Sequence, residues 1–229
     1  MIPWVKLGSG RAPDGTELSL WRRGAELCVR AGALDLMSNR AHGSEELLAE
    51  HGCAALGEGA SVLVGGLGLG FTLRAALAVL PASARVLVAE LVPAVVEWVR
   101  GPVGFAALLD DPRVTVETRD CADVLGESER RFDAVLLDVD NGPSALTQAD
   151  NRRLYDREGI ARAARALRPG GRLLVWSAGD DPAFARRLSD AGLTARTLRV
   201  RAHRGGGGGG AGGRGRGARH VIFLGVRGR

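Results

Sequence analysis

At 229 residues the chain can form one sizeable core with room for a small appendage. No apolar run reaches the roughly 20 residues of a membrane span, and three scattered cysteines and four histidines show no ligand spacing, so a disulfide framework or metal centre is not expected. The net charge of +5 hides a division: residues 1–198 carry 23 basic and 26 acidic side chains, whereas residues 199–229 carry eight arginines and no acid.

The N-terminus has no long apolar signal core, and a cytoplasmic location is the expectation. Three short alternating runs follow: Glu17–Trp21, Ala25–Arg30 and Ala33–Met37. They are separated by glycine turns and predict a small antiparallel β unit over residues 1–40. Ser44-Glu-Glu-Leu-Leu-Ala-Glu50 then opens a helix, with Ser44 as the expected cap. From there strand and helix alternate: strand 62–65, helix 70–80, strand 85–90, helix 92–100 with Pro93 in its first turn, strand 113–117, and a short helix near 121–126. Strand 132–138 is the most apolar and is expected at the centre of the sheet. Helix 156–167 stops at Arg168-Pro-Gly-Gly171, and strand 172–177, helix 181–191 and two final strands complete the chain. Residues 41–229 thus read as a Rossmann-like, doubly wound, mostly parallel sheet with a late antiparallel strand pair. The Gly/Arg tract at 204–218 reads as the loop of that pair. Its composition would also suit RNA, but the abundance of Ala, Gly and Arg follows from GC-rich coding, and nucleic acid is not the expected partner.

The densest chemical signal is Val62-Leu-Val-Gly-Gly-Leu-Gly-Leu-Gly-Phe71. A buried strand ends in Gly66-x-Gly68-x-Gly70 and a helix follows at once, the geometry in which backbone and helix N-terminus approach a ligand. A dinucleotide site would need Gly or Ala where Phe71 stands, so the spacing suits a single nucleoside. Glu90 ends the next strand, twenty residues after Gly70, where a carboxylate can accept both ribose hydroxyls. Asp120, before Cys121, closes the following strand and could accept an adenine amino group or cap the next helix. Asp138 and Asp140 follow the central strand, where an acceptor would arrive. They could bind an ammonium and take its proton, or serve as ordinary turn residues before Gly142-Pro143.

As an ordered set, these segments resemble the spermidine synthase family of class I S-adenosylmethionine-type transferases. The resemblance runs over roughly residues 14–178. It covers the glycine motif, Glu90, Asp120-Cys121, the Asp138–Pro143 loop, Leu154-Tyr155 and Leu167-Arg-Pro-Gly-Gly171, with Ser44-Glu-Glu-Leu-Leu-Ala at the entry. It implies that Gly66, Gly68, Gly70, Glu90, Asp120, Cys121 and Asp138 bind the nucleoside cofactor. Asp138 and Asp140 would act in catalysis, with Asp140 and Tyr155 at the substrate.

Three departures bear on the reaction. Leu69 stands where the family carries an Asp that contacts the donor amine, Ser44-Glu45 replaces a Tyr-His pair near the polyamine site, and Asp35 replaces a Gln. A leucine cannot pair with an ammonium. The expectation is therefore methyl transfer from intact S-adenosylmethionine to a small acceptor such as an amine, in a chain that could form a homodimer. The alternatives are aminopropyl transfer from decarboxylated S-adenosylmethionine, as in polyamine biosynthesis, and a non-catalytic nucleoside- or RNA-binding protein of the same fold.

Overall fold

The structure is a computed structural model that describes residues 1–139, 142–143, 152–201 and 219–229. The first layer is a four-stranded antiparallel sheet of β1 (Val5–Arg11), β2 (Glu17–Arg23), β3 (Glu26–Ala31) and β4 (Leu34–Ser38), in that order. The sequence pattern gives the last three of these strands. It misses β1, because Gly8 and Gly10 break the apolar alternation. Close packing explains the glycines: β1 lies against the helix of residues 93–100, and a Cβ on Gly8 would come within 2.6 Å of the Trp98 indole nitrogen.

The remainder alternates as expected. The elements are α1 (Gly43–Cys53), β5 (Ser61–Gly65), α2 (Phe71–Val79), β6 (Arg85–Ala89), α3 (Pro93–Arg100), α4 (Ala106–Leu109), β7 (Val114–Glu117), α5 (Cys121–Gly126) and β8 (Phe132–Leu137). They continue with α6 (Arg152–Tyr155), α7 (Arg157–Ala166), β9 (Leu167–Ser177), α8 (Pro182–Asp190), β10 (Leu193–Arg201) and β11 (Arg219–Arg227). Seven strands form one sheet in the order β10-β11-β9-β8-β5-β6-β7, with β8 at its centre. β5 to β9 are parallel, and β11 and β10 add antiparallel partners at one edge. Both faces are covered, which is why β5 and β8 are apolar at successive positions. Val62, Val64, Ala134 and Leu136 enter one core with α1, α2 and α3. Leu63, Val135 and Leu137 enter the other with α5, α7 and α8.

Two local expectations change. Ser44 does not cap α1. The flanking residue is His42, no side chain caps the helix, and Ser44 sits buried in the first turn. The Arg168-Pro-Gly-Gly171 segment does end α7, but β9 already begins at Leu167. Leu167 pairs with Phe132, and a register shift absorbs the Pro-Gly-Gly before Arg172 pairs with Ala134.

Candidate functional site

The register of the parallel strands sets the site. Gly65 pairs with Ala89 on one side and Leu137 on the other, so the next residues, Gly66, Glu90 and Asp138, line up across the carboxyl edge. The chain order reverses between β5 and β8, and sheets of this kind leave their ligand crevice at such a point. The N-terminal sheet covers the crevice. Ala12, Leu18, Val29, Leu36 and Met37 face Gly66, Gly68, Glu90, Asp120, Cys121 and Asp138 across one cavity.

Gly66 has φ +86°, and a Cβ there would lie 2.4 Å from the Asp138 carbonyl oxygen. The turn therefore needs a residue without a side chain. Glu90 is only 7% exposed. One of its oxygens accepts from the Leu67 amide at 2.8 Å and the other from the Val92 amide at 2.9 Å. Burial raises its pKa, and backbone amides of the glycine turn and of the loop after β6 oppose that rise. Glu90 thus holds the glycine turn in place, a structural duty the sequence does not reveal. Asp120 has two partners. It caps α5 by accepting from the Ala122 amide at 2.7 Å, and it pairs with Arg153 at 3.2 Å while lining the cavity. The Cys121 thiol is buried, and burial drives its pKa far up, so it is an inert wall rather than a nucleophile. Gly70 ends the turn at the N-terminus of α2 and does not line the cavity.

Beyond Asp138 the crevice continues into a second chamber, lined by Leu36, Met37, Gly68, Leu69, Phe71, Trp176, Asp138 and Glu45. Leu36, Met37, Gly68 and Asp138 are common to both chambers. Asp138 accepts from the Thr72 hydroxyl at 2.5 Å, and burial pushes its carboxyl up to about 6 against that hydrogen bond. Its accessible surface belongs to the cavity wall. Glu45, from the first turn of α1, rises to about 7, first through burial and then through the charge of Asp138. Ser44 donates to Glu45 at 2.5 Å, and its oxygen is 2.8 Å from Nδ1 of His220 on β11. A hydroxyl has one proton, so with Ser44 donating to Glu45 the imidazole donates from Nδ1.

Glu45, Ser44, Thr72 and His220 are the site residues that sequence reasoning missed. Glu45 was visible only as a departure beside an equally acidic Glu46, which ion-pairs with Arg74 at 2.8 Å. Tyr155 is buried, donates to the Val139 carbonyl at 3.0 Å and lies behind the cavity wall, where Leu154 is the lining residue. Asp140 and the Gly/Arg tract at 204–218 lie outside the described residues. Among the described residues no cluster of His, Cys, Asp and Glu could hold a metal ion, and no helix is long and apolar enough to cross a membrane.

Residues 41–189 match the family model described as the spermine/spermidine synthase domain. The chain belongs to that family. A stretch of 127 residues is 38% identical to the polyamine aminopropyltransferases of Mycobacterium tuberculosis (strain H37Rv) and Mycobacterium bovis, covering 53% of this chain and 23% of each relative. The chain therefore spans about a quarter of the length of those relatives. The fold is that of the spermidine synthase from Thermotoga maritima (TM-score 0.74, 17% identity, 97% of this chain and 73% of that one). A putative methyltransferase from Thermoplasma acidophilum is less similar (TM-score 0.53, 18% identity, 76% of this chain and 70% of that one).

Family membership and the aminopropyltransferase relatives overturn the expectation of methyl transfer from intact S-adenosylmethionine. Leu69 lines the second chamber, but that chamber is not short of acidic groups, because Glu45 and Asp138 face it.

Proposed function

We propose that this chain transfers an aminopropyl group from decarboxylated S-adenosylmethionine to a primary amine of a small polyamine precursor such as putrescine. The observation that carries the reading is the two-chambered crevice. One chamber offers a strand-end carboxylate and apolar walls to a nucleoside, and the other is apolar with acidic side chains and suits an alkyl chain bearing a cation. In this reading Gly66 and Gly68 allow close approach, with Gly70 shaping the turn. Glu90 and Asp120 address ribose and adenine, Cys121 packs beside the base, and residues 1–40 form a unit that closes over residues 41–229. Three buried free thiols suit a reducing, cytoplasmic setting.

The chemistry asks little of the protein beyond alignment and proton transfer. The acceptor amine must be neutral to attack, and Asp138, held by Thr72 and close to neutrality in pKa, takes its proton. The nitrogen lone pair then attacks the propyl carbon attached to sulfur. The C–N bond forms as the C–S bond breaks, its electron pair returns to sulfur, and neutral methylthioadenosine leaves. The apolar walls exclude water, which would compete as the nucleophile. Incubation with decarboxylated S-adenosylmethionine and putrescine, followed by mass spectrometry, should yield methylthioadenosine and spermidine in equal amounts. Absence of both would overturn the reading.

A further inference from the structure

The second chamber contains two carboxylates and, among its described lining residues, no Lys, Arg or His. Its other walls are mostly apolar: Leu36, Met37, Leu67, Leu69, Phe71 and Trp176. Leu69 is 4% exposed and can only shield a ligand from water. The two acids come from segments far apart in the chain, the first turn of α1 and the carboxyl end of β8, and each is oriented by its own hydroxyl donor, Ser44 or Thr72. Among the described residues no cation pairs directly with Glu45. Glu46, next in α1, is occupied by Arg74 and His42, and His220 reaches Glu45 only through Ser44. Burial keeps the imidazole toward its neutral form. Burial and the neighbouring Asp138 charge keep a proton on Glu45, and a cation entering the chamber favours its release.

We propose that Glu45 is the specificity-determining carboxylate of this crevice: it receives the primary ammonium at the end of the donor's aminopropyl chain, the charge that Leu69 cannot meet, and leaves Asp138 to take the acceptor's proton. The inference rests on the aminopropyl-transfer reading. It adds that helix α1, rather than the glycine turn, supplies the acid. An ammonium donates up to three hydrogen bonds, which the two oxygens of Glu45 can accept in part, and the apolar walls fit the three methylenes behind it. Intact S-adenosylmethionine brings a carboxylate of its own into the same chamber and is repelled. Ser44 and His220 act as positioning residues that fix the Glu45 rotamer from the C-terminal hairpin.

Calorimetry on the full chain tests this without turnover. Glu45→Gln should weaken decarboxylated S-adenosylmethionine by about 10- to 100-fold, the loss of one charge-assisted hydrogen bond to a buried partner. Methylthioadenosine, which lacks the ammonium, should bind within about twofold of wild type and so reports an intact fold. Adding Leu69→Asp to that variant should restore most of the lost affinity. In the otherwise unchanged chain, Leu69→Asp should tighten the decarboxylated donor by no more than about threefold, because Glu45 already meets its charge. A gain of tenfold or more there, or equal losses for both ligands in Glu45→Gln, would overturn the inference. Product formation by the wild type together with an unaffected Glu45→Gln would overturn the role of Glu45 alone. A wild type that fails to distinguish the decarboxylated donor from methylthioadenosine would overturn the aminopropyl reading with it.

Discussion

The two chambers are built by opposite strategies. The floor of the nucleoside chamber is made from neighbouring pieces, one strand, one glycine turn and the strand ends that parallel pairing sets beside them, under the N-terminal sheet that lines both chambers. The acidic chamber is assembled from α1, the end of β8, Leu69 at the glycine turn, Trp176 at the end of β9 and, one contact further, His220 on β11. The first tolerates little change in backbone and the second little change in charge. Variants should therefore separate them.

The largest effect is expected at the turn. Gly66→Ala sets a Cβ against the Asp138 carbonyl at a positive φ, so it should cost about 3 kcal/mol or more of folding stability by denaturant titration. A loss under about 1 kcal/mol would show that the turn can open without harm, and that the chambers are less rigidly joined. Next comes Asp138→Asn. Turnover should fall about 10²- to 10³-fold with methylthioadenosine affinity nearly kept, because the amide preserves the shape but takes no proton. If affinity falls as far as turnover, Asp138 serves nucleoside binding rather than proton transfer.

Glu90→Ala should lower both folding stability and methylthioadenosine affinity, each by about 1–3 kcal/mol. Two buried amides lose their acceptor along with the ribose. Stability unchanged beside weakened binding would mean that the glycine turn holds itself.

The smallest effect distinguishes the acidic chamber by pH. Glu45 keeps its proton in the folded protein up to about pH 7, against an ordinary value of 4.5. Between those values the unfolded chain binds fewer protons, so stability falls as pH rises through the window and levels off above it. Asp138 and Glu90 are shifted in the same direction, so the comparison needed is wild type minus Glu45→Gln. That difference should be on the order of 1–2 kcal/mol smaller at pH 8 than at pH 5, by thermal or chemical unfolding. A flat difference would mean that Glu45 is solvated rather than enclosed.

This contrast also explains what the sequence made legible. The parallel sheet, its central strand, the late antiparallel pair and the strand-end acids follow from apolar runs and glycine punctuation, which are local signals. The β1 strand did not, because its glycines exist to let α3 approach and look like loop residues in isolation. Ser44 is a good capping residue by type, but the cap position falls two residues earlier, at His42, and the Ser44 hydroxyl turns to Glu45. Leu69 lines the second chamber, and the methyl-transfer conclusion drawn from it was wrong. A missing charge at one position says nothing about a charge supplied from another segment, and only the packing of α1 beside the crevice reveals Glu45.

The most direct test is the wild-type rank order of three ligands in one set of calorimetric titrations: decarboxylated S-adenosylmethionine, methylthioadenosine and intact S-adenosylmethionine. A nucleoside chamber joined to an acidic one requires the decarboxylated donor to bind most tightly, and at least about tenfold more tightly than the intact form. Intact S-adenosylmethionine binding as well as or better than the decarboxylated donor would contradict it.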